Sequence, residues 1–320
     1  MNIKNELIPI FFSVDDNYAP YLAVALKSII SNASKKYNYK AIILHQGVSE
    51  KNIKRIEALA NEEFAIEFVP MKDSLTCITD RMSNRLRADY FTLTIYFRLF
   101  IPTMFPEYDK GIYLDSDIVV PGDISELYEI NLEDNLIGAS VDYSIQNIPE
   151  FAKYTEKGIG VVVSKYINSG VLLMNLKKLR EVSIDTRFLE LLNTYHFDSI
   201  APDQDYLNAM CHGKIKYLSG SWDTMPEENT KPLENPKLIH YNLFAKPWCY
   251  DNIQYEDYFW KYAKDSDYFE EIKEFKKNYS DEQKKSDKEC TGRMIKRALE
   301  IAGQTENFRT VFESGKERRL

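Results

Sequence analysis

The 320-residue sequence predicts an α/β fold: a Rossmann-like, mostly parallel central sheet flanked by helices, with a helical extension at the C-terminal end. Three observations predict it. Short apolar runs without polar alternation recur early in the chain, as strands covered on both faces require. Helix-periodic segments alternate with them, and a βαβαβ order implies parallel strands joined by right-handed crossovers. Beyond Tyr279 the sequence turns charged and helix-forming.

Leu7–Val14 reads as the first strand, apolar and free of interior turn residues. Asp15-Asp16-Asn17 breaks it, and Asn17 or a neighbour can cap a helix through about Ser31, with Tyr21, Val24, Ala25, Ser28 and Ile29 at helical spacing. Lys40–His45 is a second strand. Ser49 opens a helix with Ile53, Ile56 and Ala60 on one face, and Ala65–Val69 is a third strand. Ser83–Arg98 reads as helical with mixed arginine and aromatic content. Gly111–Leu114, Leu136–Val141 and Val171–Leu173 are further strands. Phe188–Tyr195 and Gln204–Met210 are helices, and Ile215–Leu218 and Leu238–His240 are late strands.

Composition narrows the function. Hydrophobic residues at 44% and charged residues at 28% allow a sizeable core. A net charge of −8 argues against wholesale nucleic-acid binding. No run approaches the roughly 18 apolar residues a spanning helix needs. The polar start, Met1 to Glu6, shows no apolar stretch or cleavage site, so a cytoplasmic location is expected. Cys77, Cys211, Cys249 and Cys290 are scattered without metal-binding spacing, as expected of reduced thiols.

The chemistry concentrates at Asp115-Ser116-Asp117. An apolar strand ends in two carboxylates, which are costly together unless a cation neutralises them. A divalent metal carrying a phosphorylated ligand answers that need, and ligands of open α/β sheets sit at the strands' carboxyl ends. A turn with two solvated acids is the plain alternative. Four segments add weight. Asp15-Asp16-Asn17-Tyr18 could hydrogen-bond and stack a flat heterocycle, or merely cap a helix. Arg98, amid apolar residues, needs a buried partner: the aspartate pair, a phosphate or a structural salt bridge. Asn168-Ser169-Gly170 and Asp203-Gln204-Asp205 carry the side chains that read sugar hydroxyls, with a glycine permitting close backbone approach. His240 follows an apolar strand and could ligate a metal, and Lys246 could neutralise a diphosphate.

Together these segments, from Ile8 to Trp248, resemble the family 8 glycosyltransferases. That group includes bacterial lipopolysaccharide galactosyl- and glucosyltransferases and glycogenin. Carrying the resemblance are Asp-Asp-Asn-Tyr, Tyr-Leu-Asp-Ser-Asp, Asn-Ser-Gly-Val-Leu-Leu-Met-Asn-Leu, Asp-Gln-Asp and His-Tyr followed by Lys-Pro-Trp. It implies a GT-A fold, a UDP-sugar donor, Mn²⁺ or Mg²⁺, and hexosyl transfer with retention to a saccharide or glycolipid. In its terms Asp115, Asp117 and His240 match metal ligands. Asp16 and Tyr18 match the uracil-binding segment, with Asp15 and Asn17 beside them. Arg98, Asn168, Asp203 and Gln204 match positions around the donor sugar, the last two being the candidate catalytic residues. Ser116 and Ser169 join the donor-binding set, and Lys246 matches the diphosphate contact. One departure is Leu243, where the family often has glycine.

Two rival readings remain. A haloacid-dehalogenase-like phosphatase also uses Asp-X-Asp after a strand, but places it near the domain start and adds a late acidic pair. A nucleotide-sugar-binding protein without turnover would keep the same ligands. The expected organisation is a catalytic unit over 1–279 and a tail over 280–320, a charged spacer followed by an amphipathic helix. The tail holds 10 Lys/Arg against 8 Asp/Glu. On a helix, Met294, Ile295, Ala298, Leu299 and Ala302 share a face flanked by Arg293, Lys296 and Arg297. Such a helix suits the inner-membrane surface or docking on the catalytic unit. Docking is slightly favoured, because Glu300, Glu306, Glu313 and Glu317 dilute the charge.

Overall fold

A computed structural model describes residues 6–71, 93–227 and 230–320. Its elements follow the predicted order. Strand β1 is Leu7–Val14, and a 3₁₀ turn over Asp16–Tyr18 leads into helix α1, Ala19–Asn32. Then come β2 (Asn38–His45), α2 (Glu50–Glu57), β3 (Phe64–Pro70), α3 (Ile101–Met104), β4 (Gly111–Leu114) and β5 (Ile118–Val119). The middle of the chain carries α4 (Ile124–Tyr128), β6 (Ile137–Ala139), α5 (Pro149–Tyr154), β7 (Val171–Met174), α6 (Leu176–Glu181), α7 (Ile184–Tyr195) and α8 (Pro202–Met210). Last are β8 (Ile215–Tyr217), β9 (Ile239–His240), α9 (Glu256–Ala263), α10 (Phe269–Asn278), α11 (Asp281–Ala302) and α12 (Phe308–Glu313).

The main sheet runs β3-β2-β1-β4-β7-β6-β8. The first four strands in that order are parallel, as the βαβαβ pattern requires. β7 runs antiparallel to both β4 and β6, a reversal that the apolar run Val171–Met174 does not announce. A second, two-stranded sheet pairs β5 with β9. One core cluster lies on each face of the main sheet. Alternate β1 residues divide between them: Phe11 joins one and Ile10 and Phe12 the other.

Three expectations change. The helix expected over Ser83–Arg98 lies outside the described residues up to 92, as does Cys77. Its last part, Leu93–Leu99, winds as a 3₁₀ helix. Within it the Arg98 Nε donates to the Ile95 carbonyl at 3.1 Å, holding the tighter turn. The expected side-chain cap sits one element earlier: α1 has none, and Asp15, a neighbour of Asn17, caps the 3₁₀ turn before it, its carboxylate accepting from the amides of Asn17 and Tyr18. Finally, the expected charged spacer is the first half of α11, started by a capping box between Ser280 and Gln283.

The buried face of α11 is Cys290, Met294, Ala298 and Ile301, rotated from the expected stripe so that Leu299 is exposed. It packs along α5, and Phe308, Val311 and Phe312 of α12 join the same core cluster. The apolar stripe is therefore spent on the catalytic body. No helix among the described residues is long and apolar enough to cross a membrane. Deleting 280–320 removes five large buried side chains, Met294, Ile301, Phe308, Val311 and Phe312, each worth roughly 1.5–3 kcal/mol of burial, and bares the core they cover. Against a total stability of about 5–15 kcal/mol, the chain cut after 279 should melt at least ten degrees or so lower than the full chain. Thermal melts of both forms check this, and co-sedimentation with anionic vesicles should show little binding by the full chain.

Candidate active site

The sheet explains how distant motifs meet. Phe12 of β1 sits opposite Leu114 of β4, so Asp15 and Asp115 emerge at the same sheet edge. β7 runs the other way, so its entry, Asn168-Ser169-Gly170, lies there too, with Val171 opposite Leu114. The small sheet pairs Ile118 with His240, which seats the imidazole beside Asp117. Helix α8 presents Asp203 and Gln204 from its first turn.

One oxygen from Asp115, one from Asp117 and a ring nitrogen of His240 lie within 4.8 Å of one another. The His240 Nε2 is 3.4 Å from Asp117 Oδ1 and 3.9 Å from Asp115 Oδ2. Two carboxylate oxygens and an imidazole form a donor set that suits Mn²⁺ or Mg²⁺. The backbone has been cleared for it. A Cβ on Gly170 would sit 2.3 Å from His240 Cε1 and 2.7 Å from Asp115 Oδ2. The residues present therefore fit a divalent metal.

Around the three ligands lies a ring of cations and acids. Arg98 Nη2 donates to Asp115 Oδ1 at 2.9 Å, and Nη1 meets Asp203 Oδ2 at 3.0 Å. Nη1 also donates to the Ser169 carbonyl at 2.6 Å. Burial opposes the Arg98 charge, but Asp115 and Asp203 outweigh it and raise the guanidinium pKa. The Tyr113 hydroxyl donates to the same Asp115 oxygen at 2.9 Å. Lys246 Nζ donates to Asp117 Oδ2 at 2.5 Å and to the Tyr241 carbonyl at 2.8 Å. Burial would raise Asp117, yet Lys246 and His240 hold its carboxyl well below the usual range.

The other candidates fall into place with one exception. Ser116 is buried and its hydroxyl donates to the Ser13 carbonyl at 3.4 Å. Asn168 Oδ1 accepts from the Gly170 amide at 2.8 Å. Gln204 Oε1 accepts from the Ser169 amide at 3.1 Å. Ser169 Oγ donates to Asp203 Oδ2 at 2.8 Å. Asp15, Asn17 and Tyr18 line the same cavity of about 940 Å³ as the metal ligands. Tyr18 stands edge-on to Tyr21, which stacks on Trp248 at 4.1 Å.

Asp16 is not brought to the cavity. Its carboxylate accepts from the Ser49 amide at 2.7 Å and from Asn52 Nδ2 at 2.8 Å, holding the start of α2. Asp16→Ala should therefore cost about 1 kcal/mol of stability and leave nucleotide affinity nearly unchanged, whereas Asp15→Ala should raise the donor KM several-fold. Denaturant melts and donor titrations of the two variants check the division.

Two acids at the site carry no motif. Asp223, fully buried, lies 3.0 Å from His240 Nδ1. Burial alone would lower the His240 pKa, but Asp223 and Asp117 push it up to about 10. Asp223 sits between Trp222 and Thr224 with no local signal. Asp142 Oδ2 accepts from Gln204 Nε2 at 3.0 Å and from Asn168 Nδ2 at 3.2 Å. It comes three residues after the end of β6, at the end of the longer apolar run Leu136–Val141 in the sequence, and that run could have pointed to it.

Asp205, the last residue of Asp-Gln-Asp, is fully buried behind the site. It accepts from Tyr154 at 2.5 Å, from Tyr166 at 2.6 Å and from Ser199. Burial pushes its pKa up to about 6 despite these donors. The folded state thus holds the proton more tightly than the unfolded chain. That contribution is complete below about pH 4 and is lost as pH rises through 6, on the order of 3 kcal/mol. Stability of Asp205→Asn should lack this decline, which denaturant melts from pH 4 to 7 would show.

Leu243 has φ of +51°, the left-handed region where a glycine is at ease. The loop between His240 and Lys246 thus keeps a glycine-like bend with a side chain on it. Leu243 packs against the core, which offsets the strain.

Known proteins match this arrangement. The model for "Glycosyl transferase family 8" covers residues 9–252. A Haemophilus influenzae relative is 32% identical over 225 residues, spanning 70% of this chain and 65% of its own length. A lipopolysaccharide 1,2-glucosyltransferase of Escherichia coli K12 is 26% identical over 302 residues, 86% of this chain and 85% of that protein. Among solved structures, the galactosyltransferase LgtC, determined with donor and acceptor sugar analogues, superposes with a TM-score of 0.65 at 28% identity. It covers 81% of this chain and 96% of its own. The bifunctional glycosyltransferase WbbM reaches a TM-score of 0.72 at 24% identity; this chain covers 53% of its length, and the likeness is one of fold.

Proposed function

The chain belongs to glycosyl transferase family 8 and has the GT-A fold; from that premise we propose that it moves a hexose, glucose or galactose, from a UDP-sugar to a saccharide or glycolipid with retention of configuration. The observation that carries this reading is the convergence of Asp115, Asp117 and His240 at one sheet edge, with Lys246 beside them. Names of relatives support the reading: they include a lipopolysaccharide 1,2-glucosyltransferase and a lipopolysaccharide 1,3-galactosyltransferase. A cytoplasmic site of action fits that reading.

Mn²⁺ or Mg²⁺ held by Asp115, Asp117 and His240 would neutralise the donor's phosphates and the charge that develops as they depart. Asp223 fixes the imidazole so that Nε2 faces the two carboxylates. Asp15, Asn17 and Tyr18 provide the nucleoside end of the cleft. Lys246 lies close enough to the aspartate pair to pass from Asp117 to a diphosphate. In the transfer, the bond from C1 to the phosphate oxygen breaks and a bond from C1 to the acceptor oxygen forms. Front-side attack, with the acceptor's proton passing to the leaving phosphate, suits the residues best. A covalent route needs a free nucleophile, and Asp203 Oδ2 is held by Arg98 and the Ser169 hydroxyl. Gln204 is an amide, so its role is to hold Ser169 and face the sugar.

A screen for metal-stimulated hydrolysis of UDP-glucose, UDP-galactose and other nucleotide sugars tests the proposal. Hydrolysis of one UDP-hexose, abolished by chelator, is expected. Phosphate release from simple phosphomonoesters alone would favour the phosphatase reading, and tight donor binding without turnover the binding-protein reading.

A further inference from the structure

The two carboxylate oxygens of Asp115 have different surroundings. Oδ2 belongs with the ligand set: it lies 3.9 Å from His240 Nε2, and a Cβ on Gly170 would come within 2.7 Å of it. Oδ1 is already engaged. It accepts from Arg98 Nη2 and from the Tyr113 hydroxyl, each at 2.9 Å. A carboxylate oxygen offers about two lone pairs, so two donors fill it. Both donors are held in place. Arg98 is buried and spends its other nitrogens on the carbonyls of Ile95 and Ser169, at 3.1 and 2.6 Å, and on Asp203 at 3.0 Å. Its guanidinium carbon stands 4.3 Å from the centre of the Tyr113 ring. Tyr113 is fully buried in β4, paired with Phe11 of β1 on one side and Leu172 of β7 on the other. It comes two residues before Asp115, the spacing at which side chains along a strand share a face. A phenylalanine would fill the same core position; what the tyrosine adds is the hydroxyl on Asp115.

We infer that Tyr113 sets metal selectivity: with Arg98 it confines Asp115 to one ligating oxygen and so favours Mn²⁺ or Mg²⁺ over Ca²⁺. The inference rests on the metal role that the glycosyltransferase reading gives Asp115, and it adds what decides between ions. Ca²⁺ gathers about six to eight oxygen ligands and commonly takes both oxygens of a carboxylate. The smaller ions are content with an octahedron, in which one oxygen from each carboxylate suffices. The His240 imidazole already disfavours Ca²⁺, a cation of oxygen ligands. The filled Asp115 oxygen is a second bias, and it is separable from the first because Tyr113 can be changed without touching any ligand. Removing the hydroxyl returns one lone pair to Oδ1. Arg98 cannot follow to fill it, since its own contacts to Ile95, Ser169 and Asp203 fix the guanidinium.

Titration calorimetry of Mn²⁺ and of Ca²⁺ into the full chain, with and without UDP, tests this on wild type and Tyr113→Phe. The variant loses one oxygen atom and keeps the ring beneath Arg98, and a thermal melt confirms that it is folded. Wild type should bind Mn²⁺ more tightly than Ca²⁺. In Tyr113→Phe that preference should fall about tenfold or more, on the scale of an outer contact to a metal ligand, and Ca²⁺ affinity should rise. Equal losses of both affinities, with the preference kept, would mean that the hydroxyl only steadies Asp115, and they overturn the inference. So does a wild type that holds the two ions equally or binds neither. Failure of the selectivity role and failure of the transferase reading are distinct. Mn²⁺-dependent cleavage of a UDP-hexose, with a preference indifferent to Tyr113→Phe, sinks the selectivity role alone. A preference that shifts as expected in a chain that cleaves no nucleotide sugar sinks the transferase reading alone.

Discussion

Asp117→Asn should lower metal-stimulated donor hydrolysis by about a hundred- to a thousandfold, with a parallel loss of Mn²⁺ affinity. Asp117 holds two partners at once: Oδ1 faces His240 Nε2 and Oδ2 accepts from Lys246. The amide keeps the shape but removes the charge that would bind the metal and that now anchors Lys246. Asn is the better test than Ala. Strand-end acids in general contribute little to packing, yet the Asp117 side chain is only 14% exposed and ion-paired. Cutting it to alanine would leave Lys246 and His240 without their counter-charge, at a cost on the order of 3–5 kcal/mol. Calorimetric Mn²⁺ titration separates loss of the site from loss of the fold. Wild-type activity that survives chelation would remove the pair from its assigned role.

Much of this site is legible in the sequence, for a physical reason. β1 and β4 are short, buried and apolar, so their ends are marked sharply by the first acids, and both strands fall on the expected residues. The Asp-X-Asp and Asn-Ser-Gly segments lie at strand ends and Asp-Gln in the first turn of α8, so reading the element also places the residue. What escaped was set by partners far along the chain. Asp16 looked like a nucleotide contact, but Ser49 and Asn52 claim it. Asp223 matters only because β9 brings His240 against it. The direction of β7 is seen only in its pairing with β4 and β6, which its apolar run does not encode. The buried face of α11 is decided by α5 and α12, and its own periodicity, diluted by charge, pointed one notch away.

Gly170→Ala should be nearly as damaging as the loss of a ligand, although it removes no functional group. The residue enters β7 beside Asp115, whose amide donates to the Gly170 carbonyl at 2.8 Å. That bond holds the two backbones together, so the added methyl cannot retreat without breaking it. The methyl would lie 2.3 Å from His240 Cε1 and 2.7 Å from Asp115 Oδ2, well inside contact distance. His240 is held on its far side by Asp223, and Asp115 by Arg98 and Tyr113. Neither can swing away cheaply. Overpacking of this kind costs about 1–3 kcal/mol, and the strain falls on two of the three metal ligands. Donor hydrolysis should drop about a hundredfold, Mn²⁺ affinity should fall with it, and the thermal midpoint should fall by several degrees. Wild-type Mn²⁺ affinity in a folded Gly170→Ala protein would mean that the metal is held elsewhere. If affinity falls while UDP binding measured without metal persists, the damage is confined to the cradle formed by Asp115, Asp117 and His240.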